Sequence, residues 1–160
     1  MKLKNYISGQ WIEGSGNEVP LYNAVNGELV AISDTEGIDF EQALDYGRTV
    51  GYKNLSSMTF YDRGEMLKKV ALYLLERKKK YYDLSYKTGA THADSWVDIE
   101  GGFGTSFPYA GLAKRMLPNT PFWVDGDTQK LGANGTFIGT HILTPSEGVS
   151  VQINAYNFPV

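Results

Sequence analysis

Few side chains in this 160-residue chain have the types and spacing to do chemistry. His92, Asp94, Asp98 and Glu100 form the densest set of metal-ligating types, and Asp94 and Asp98 would share one face of a helix. A hard cation needs oxygens converging from several elements, and His92 falls off the helical spacing, so the set reads as helix capping and solvated surface. Gly101-Gly102-Phe103-Gly104-Thr105-Ser106 superficially resembles a phosphate loop, yet it lacks the lysine of such a loop and follows helix-forming residues instead of a strand. Arg77-Lys78-Lys79-Lys80 could grip a phosphate, but cations closing a surface helix also complement its carbonyl end. Asn157, ahead of Phe158 and Pro159, offers an uncharged amide donor; by its place alone it reads first as a helix N-cap. With no cysteine, these residues hold no disulfide, thiolate metal site or cysteine nucleophile.

The elements that must position these groups are legible in part. Tyr6 to Trp11 reads as a short strand, and Leu21 to Ile32 as two β-prone runs broken by Asn26-Gly27, a hairpin signal because both residues tolerate positive φ. A small β-meander over 1–35 is therefore expected. Asp39, three residues before Gln42, opens a helix carrying Phe40, Ala43, Leu44, Gly47 and Val50. Thr59, three before Asp62, opens a second with Met66, Leu67, Val70, Ala71, Leu74 and Leu75 on one face. Gly89 then punctuates, and Ala90 to Leu117 reads as further helix whose interrupting glycines suggest close packing against a neighbour.

The helical segment is thus expected over 36–117 and an extended one over 118–147, with ribbon pieces at Pro121 to Val124 and Thr136 to Leu143 and a turn at Asp125-Gly126-Asp127. From Val149 to Tyr156 apolar and polar residues alternate, as in a strand with one apolar face, and Pro159 suits the first turn of a following helix. Residues 42% hydrophobic and 21% charged, with a net charge of −3, indicate a globular chain. The scattered basic residues argue against nucleic acid as a partner, and no run approaches the ~18 apolar residues of a membrane span. An N-terminus without the apolar core of a secretory signal makes a cytoplasmic address the expectation.

Asn157-Phe158-Pro159 after an apolar strand resembles the Trp-Asn-Phe-Pro segment of the aldehyde dehydrogenase superfamily. Ile7 to Trp11 and Asn23 to Glu28 resemble that family's N-terminal meander, and Thr88 to Gly102 resembles the dehydrogenase part of the bifunctional ring-opening enzyme of phenylacetate degradation. The likeness implies an α/β fold cut to its N-terminal portion: β-meander, helices, oligomerisation ribbon, and at 148–160 the first strand of a Rossmann-like cofactor domain. It also implies a full-length enzyme that oxidises a CoA-thioester semialdehyde with NADP, or NAD, and that also hydrolyses oxepin-CoA.

In such an enzyme a cysteine thiolate attacks the aldehyde, an oxyanion develops and a hydride leaves to the nicotinamide. By the resemblance Asn157 is the oxyanion donor, and Ile153, Asn154, Ala155, Tyr156 and Asn157 line the cofactor. Ala155-Tyr156 departs from the commoner Pro-Trp, restoring an amide hydrogen and freeing φ. The cysteine, general base and Gly-rich turn lie outside these residues, so the chain alone is expected to be inactive and to bind the cofactor incompletely. A homodimer or higher homo-oligomer is the implied assembly. The alternative is a non-enzymatic module pairing through its ribbon, or an inactive truncated paralogue.

Overall fold

The structure, a computed structural model, describes residues 1–156 and 158. It opens with two antiparallel hairpins, β1 (Asn5–Ile7) with β2 (Gln10–Ile12) and β3 (Val19–Tyr22) with β4 (Leu29–Ser33). The single strand expected over Tyr6 to Trp11 is thus a hairpin: Ser8 and Gly9 take φ of 50° and 83°, and this left-handed pair reverses the chain. Asn26-Gly27 does mark a reversal, but within a longer connection in which Gly27 N–H donates to Asn23 O and Glu28 N–H to Asn26 Oδ1. Lys2 bridges Ile32 in parallel, joining the N-terminal segment to β4.

Asp34 fastens this region. It is buried, 3% exposed, and accepts from Gly16 N–H at 3.0 Å and Glu36 N–H at 2.9 Å while pairing with Lys2 at 3.1 Å. These donors, the Glu36 amide first and then Lys2, hold its carboxyl below the usual range against the opposing effect of burial.

A continuous helical stretch follows: α1 (Phe40–Tyr46), a π turn (Gly47–Gly51) and α2 (Tyr52–Ser56). The Asp39 side chain accepts from Gln42 N–H at 2.9 Å, as its spacing requires. Helix α3 (Phe60–Leu75) starts at a full capping box, Thr59 with Asp62. Next come α4 (Lys78–Ser85), a 3₁₀ turn (Tyr86–Thr88) ended by left-handed Gly89, and α5 (His92–Trp96), which passes through a second π turn (Val97–Gly101) into α6 (Gly102–Met116).

Helices α3 and α6 run antiparallel. Tyr61 OH donates to Lys114 O at 3.0 Å and Glu65 pairs with Lys114 at one end, while Leu74 and Leu75 pack against the cluster that contains Phe103 at the other. Gly64 makes the approach close, because a Cβ there would lie 2.9 Å from Ala113 Cβ and 3.0 Å from Ala110 O. Gly101 and Gly104, expected to mark close packing, face open space instead. The small core is Tyr82, Ile99 and Phe103, with Tyr81 edge-on to Phe103 at 5.7 Å.

Strands β5 (Trp123–Lys130) and β6 (Ile138–Leu143) form the expected ribbon. Asp125-Gly126-Asp127 is a bulge within β5, with Gly126 at φ 74°, and the reversal lies in the loop after Lys130. The cofactor-domain strand expected over 148–160 is not formed among the described residues, and Asn157, Pro159 and Val160 of that range lie outside them. Among the described residues Val149 to Asn154 has no ladder partner, and strand-like alternation becomes a strand only when a neighbour supplies hydrogen bonds.

Candidate functional site

The segment expected to meet the cofactor leaves the fold as an arm. Ile153 and Tyr156 are 91% and 94% exposed, Asn154 and Ala155 are also exposed, and Ala155 bridges Phe158 around a turn at Tyr156. Asn157 lies outside the described residues. Tyr156 reaches the rim of a cleft of about 820 Å³, whose apolar wall includes Leu21, Leu74, Tyr81, Leu84 and Phe103. Ile153, Asn154 and Ala155 do not line that cleft.

A dinucleotide cofactor needs a phosphate cradle of backbone amides at a Gly-rich turn and a sheet edge for its ribose. Among the described residues Ile153 to Ala155 are exposed and outside the cleft that Tyr156 rims, so these residues do not by themselves form a site for that group.

Among the described residues His92, Asp94, Asp98 and Glu100 do not converge on a point that could hold a metal; they make separate structural contacts. Asp94 closes a capping box with Thr91: its carboxylate accepts from Thr91 Oγ1 at 2.6 Å, and Asp94 N–H returns a bond to Thr91 Oγ1. Glu100 accepts from Tyr82 OH at 2.9 Å and pairs with Lys78 at 3.0 Å, while Asp98 is buried. His92 Nδ1 lies 2.9 Å from Tyr86 OH, and its ring stacks on Tyr82 with centroids 5.2 Å apart. Ser85 and Ser95 meet at 3.0 Å between α4 and α5.

The electrostatics follow from these contacts. Lys78, then Tyr82, holds the Glu100 carboxyl below its ordinary range, and Thr91 does the same for Asp94. Burial first, and the Glu100 carboxylate second, pushes the Tyr82 phenol up to about 12. A phenol of that kind keeps its proton at neutral pH. The cluster therefore fixes α4 against the α5–α6 stretch.

The basic run is displaced from its expected role. Arg77 is the N-cap of α4, so Lys78 to Lys80 occupy the first turn of a new helix, where the dipole disfavours cations. Specific partners offset this. Lys78 has Glu100, and the Arg77 guanidinium lies 3.6 Å from the Tyr73 ring centroid while donating to Tyr73 O at 2.9 Å.

The sequence reading passed over Tyr82 and Arg63. Tyr82 lies between charged and polar neighbours with no pattern to distinguish it, and its role depends on the distant Glu100. Arg63 is one of several charged residues in α3, with Asp62, Glu65, Lys68 and Lys69, and no spacing sets it apart.

The family model of the aldehyde dehydrogenase family matches residues 11–160. The chain is 37% identical over 160 residues to a 3,4-dehydroadipyl-CoA semialdehyde dehydrogenase of Aromatoleum evansii, covering 99% of this chain and 31% of that protein. It is 25% identical over 169 residues to malonate-semialdehyde dehydrogenase 1 of Bacillus thuringiensis (strain Al Hakam), again covering 99% of this chain and 31% of the relative. It thus spans about a third of the length of these relatives. The fold matches a crystal structure of a NAD-dependent benzaldehyde dehydrogenase from Corynebacterium glutamicum with a TM-score of 0.64 at 18% identity, over 79% of this chain and 27% of that one. Most of the fold therefore has its counterpart in a solved enzyme, and the match along the sequence places this chain in the aldehyde dehydrogenase family.

Proposed function

We propose that the protein carrying this chain oxidises a CoA-thioester semialdehyde to its carboxylate with a nicotinamide cofactor, NADP or NAD, in the catabolism of phenylacetate. The observation that carries the substrate class is the 37% identity, over 99% of the chain, to a dehydrogenase of a CoA-linked semialdehyde. The 25% identity to a malonate-semialdehyde dehydrogenase supports the reaction type. Hydrolysis of oxepin-CoA by the same polypeptide rests on the resemblance of Thr88 to Gly102 alone. A cytoplasmic address belongs to the same reading.

In this proposal the 160 residues supply a wall and one donor, and the nucleophile comes from elsewhere in the polypeptide, because the chain has no cysteine. Asn157 donates its side-chain N–H to the oxyanion that develops on the aldehyde carbonyl. An amide suits the task because it stabilises the charge without bringing one of its own. Ile153 to Asn157 offer backbone and side-chain groups to one side of the cofactor. The chain alone is then inactive and binds NADP incompletely.

The proposed homodimer or larger homo-oligomer is supported by the ribbon. Strands β5 and β6 are a two-stranded sheet whose residues are almost all exposed, and such a hairpin is marginal in water without a further partner. The same exposure is what favours the second reading, a ribbon-paired module without catalysis.

The test is NADP reduction by the full-length protein with a CoA-linked semialdehyde, compared with the same protein carrying Asn157→Ala. The expected loss in kcat is about 10²–10³-fold, the usual effect of removing one oxyanion donor. Absence of turnover with any semialdehyde and either cofactor would favour the interaction module, and an unchanged kcat in the variant would remove Asn157 from the chemistry.

A further inference from the structure

Arg63 sits one turn into α3, with its guanidinium carbon 4.6 Å from the Phe60 ring centroid. Its Nε and Nη2 atoms are both buried, and neither has a hydrogen-bond partner among the described residues. These two nitrogens form one edge of the guanidinium plane, whose parallel N–H bonds match the two oxygens of a carboxylate. A buried, unpaired charged donor is costly, so an acceptor is called for.

The surroundings limit what that acceptor is. Arg63 lines a cleft of about 670 Å³ between the α1–α2 stretch and residues 145–150, and among the lining residues Arg63 is the one cation and Glu147 the one carboxylate. The 145–150 segment is pressed against the first π turn: a Cβ on Gly47 would lie 2.8 Å from Val149 Cγ2. Among the described residues this segment makes no backbone hydrogen bond to the helices, and the Gly148 backbone is at φ 115°, a pivot a residue with a Cβ rarely adopts. Apolar contact thus seats the segment without fixing its position along the cleft.

We propose that Arg63 is a carboxylate receptor for Glu147, and that closing the cleft around the Gly148 pivot places the Glu147 carboxylate on the Nε and Nη2 edge as a bidentate pair. The pair latches the 145–150 segment onto α3 and so sets where the arm at 151–156 leaves the fold. Arg63 and Glu147 are positioning residues that act through the arm. The inference rests on this cleft and on no assigned activity.

Hydrogen exchange across residues 144–152 of the intact protein tests it, in the parent, Glu147→Gln, Arg63→Lys and the double variant. Glu147→Gln is expected to speed exchange in this segment by roughly tenfold, Arg63→Lys to do the same by losing the fork, and the double variant to add nothing further. Additive effects, or a silent Glu147→Gln, would overturn the pairing, and the Glu147 variant decides this even where the Arg63 variant fails to fold. A third arm adds sodium acetate to the parent protein. Slower exchange at tens of millimolar acetate would show an edge open to carboxylates from solution and overturn the assignment to Glu147; an unchanged rate is the expected result.

Discussion

Replacing Gly64 with alanine sets two effects of opposite sign against each other, and the structure decides which wins. In an isolated helix the change stabilises by about 1 kcal/mol, because glycine loses the most backbone entropy on folding. Here the new methyl would stand 2.9 Å from Ala113 Cβ and 3.0 Å from Ala110 O. Carbon atoms prefer about 3.5–4.0 Å, so α3 and α6 must part by about 0.8 Å. Neither obstacle is the tip of a flexible side chain, and overpacking of this kind costs about 1–3 kcal/mol. The net expectation for Gly64→Ala is a loss of about 1 kcal/mol. Gly104→Ala is the matched control, since it lies inside α6 and its Cβ would enter open space; it should gain close to 1 kcal/mol. Urea unfolding of the purified protein, followed by tryptophan fluorescence, reads both as midpoint shifts of about 0.5 M in opposite directions. A Gly64→Ala midpoint at or above the parent's, with Gly104→Ala raised as expected, would show that the glycine does not set the spacing of these helices.

Two further predictions concern pH. The Tyr82 phenol, pushed up to about 12, should give a high-pH step in an absorbance titration at 295 nm that Tyr82→Phe removes, and Glu100→Gln should bring it only part of the way back, because burial is the larger cause. Its raised folded pKa means that the stability it contributes is complete below the unfolded value of 10.0 and is lost as pH rises towards about 12. Asp34 behaves in the opposite sense. Its folded pKa lies below the unfolded 3.8, so its contribution is complete above that value and is lost as pH falls through the lower folded value. Asp34→Asn should flatten the acid limb of a stability profile below pH 4; an acid limb unchanged in this variant would show that other carboxylates set it.

What the sequence determined by itself was local. Thr59 and Asp62 form a capping box, Asp39 caps α1 and Gly89 ends a helix in the left-handed region, because each result depends on residues within one turn. Family membership was legible for a similar reason, since short matched segments such as Asn157-Phe158-Pro159 carry it without reference to packing. Where a residue's role depended on a distant partner, the pattern failed. Lys78 to Lys80 read as the close of a helix until Arg77 interrupted the backbone and Glu100 supplied a partner for Lys78. Tyr82 gained its raised pKa from burial against a chain segment many residues away.

The glycines divide in the same way. Composition alone does not separate Gly64, which brings two helices together, from Gly104, which faces open space. Alternation from Val149 to Tyr156 described a segment able to form a strand, but a strand is a property of two neighbours, and among the described residues none pairs with it. Local hydrogen bonding is written in adjacent residues; burial, ladder pairing and charge pairing are written in the distances between remote ones, and only the tertiary structure decides them.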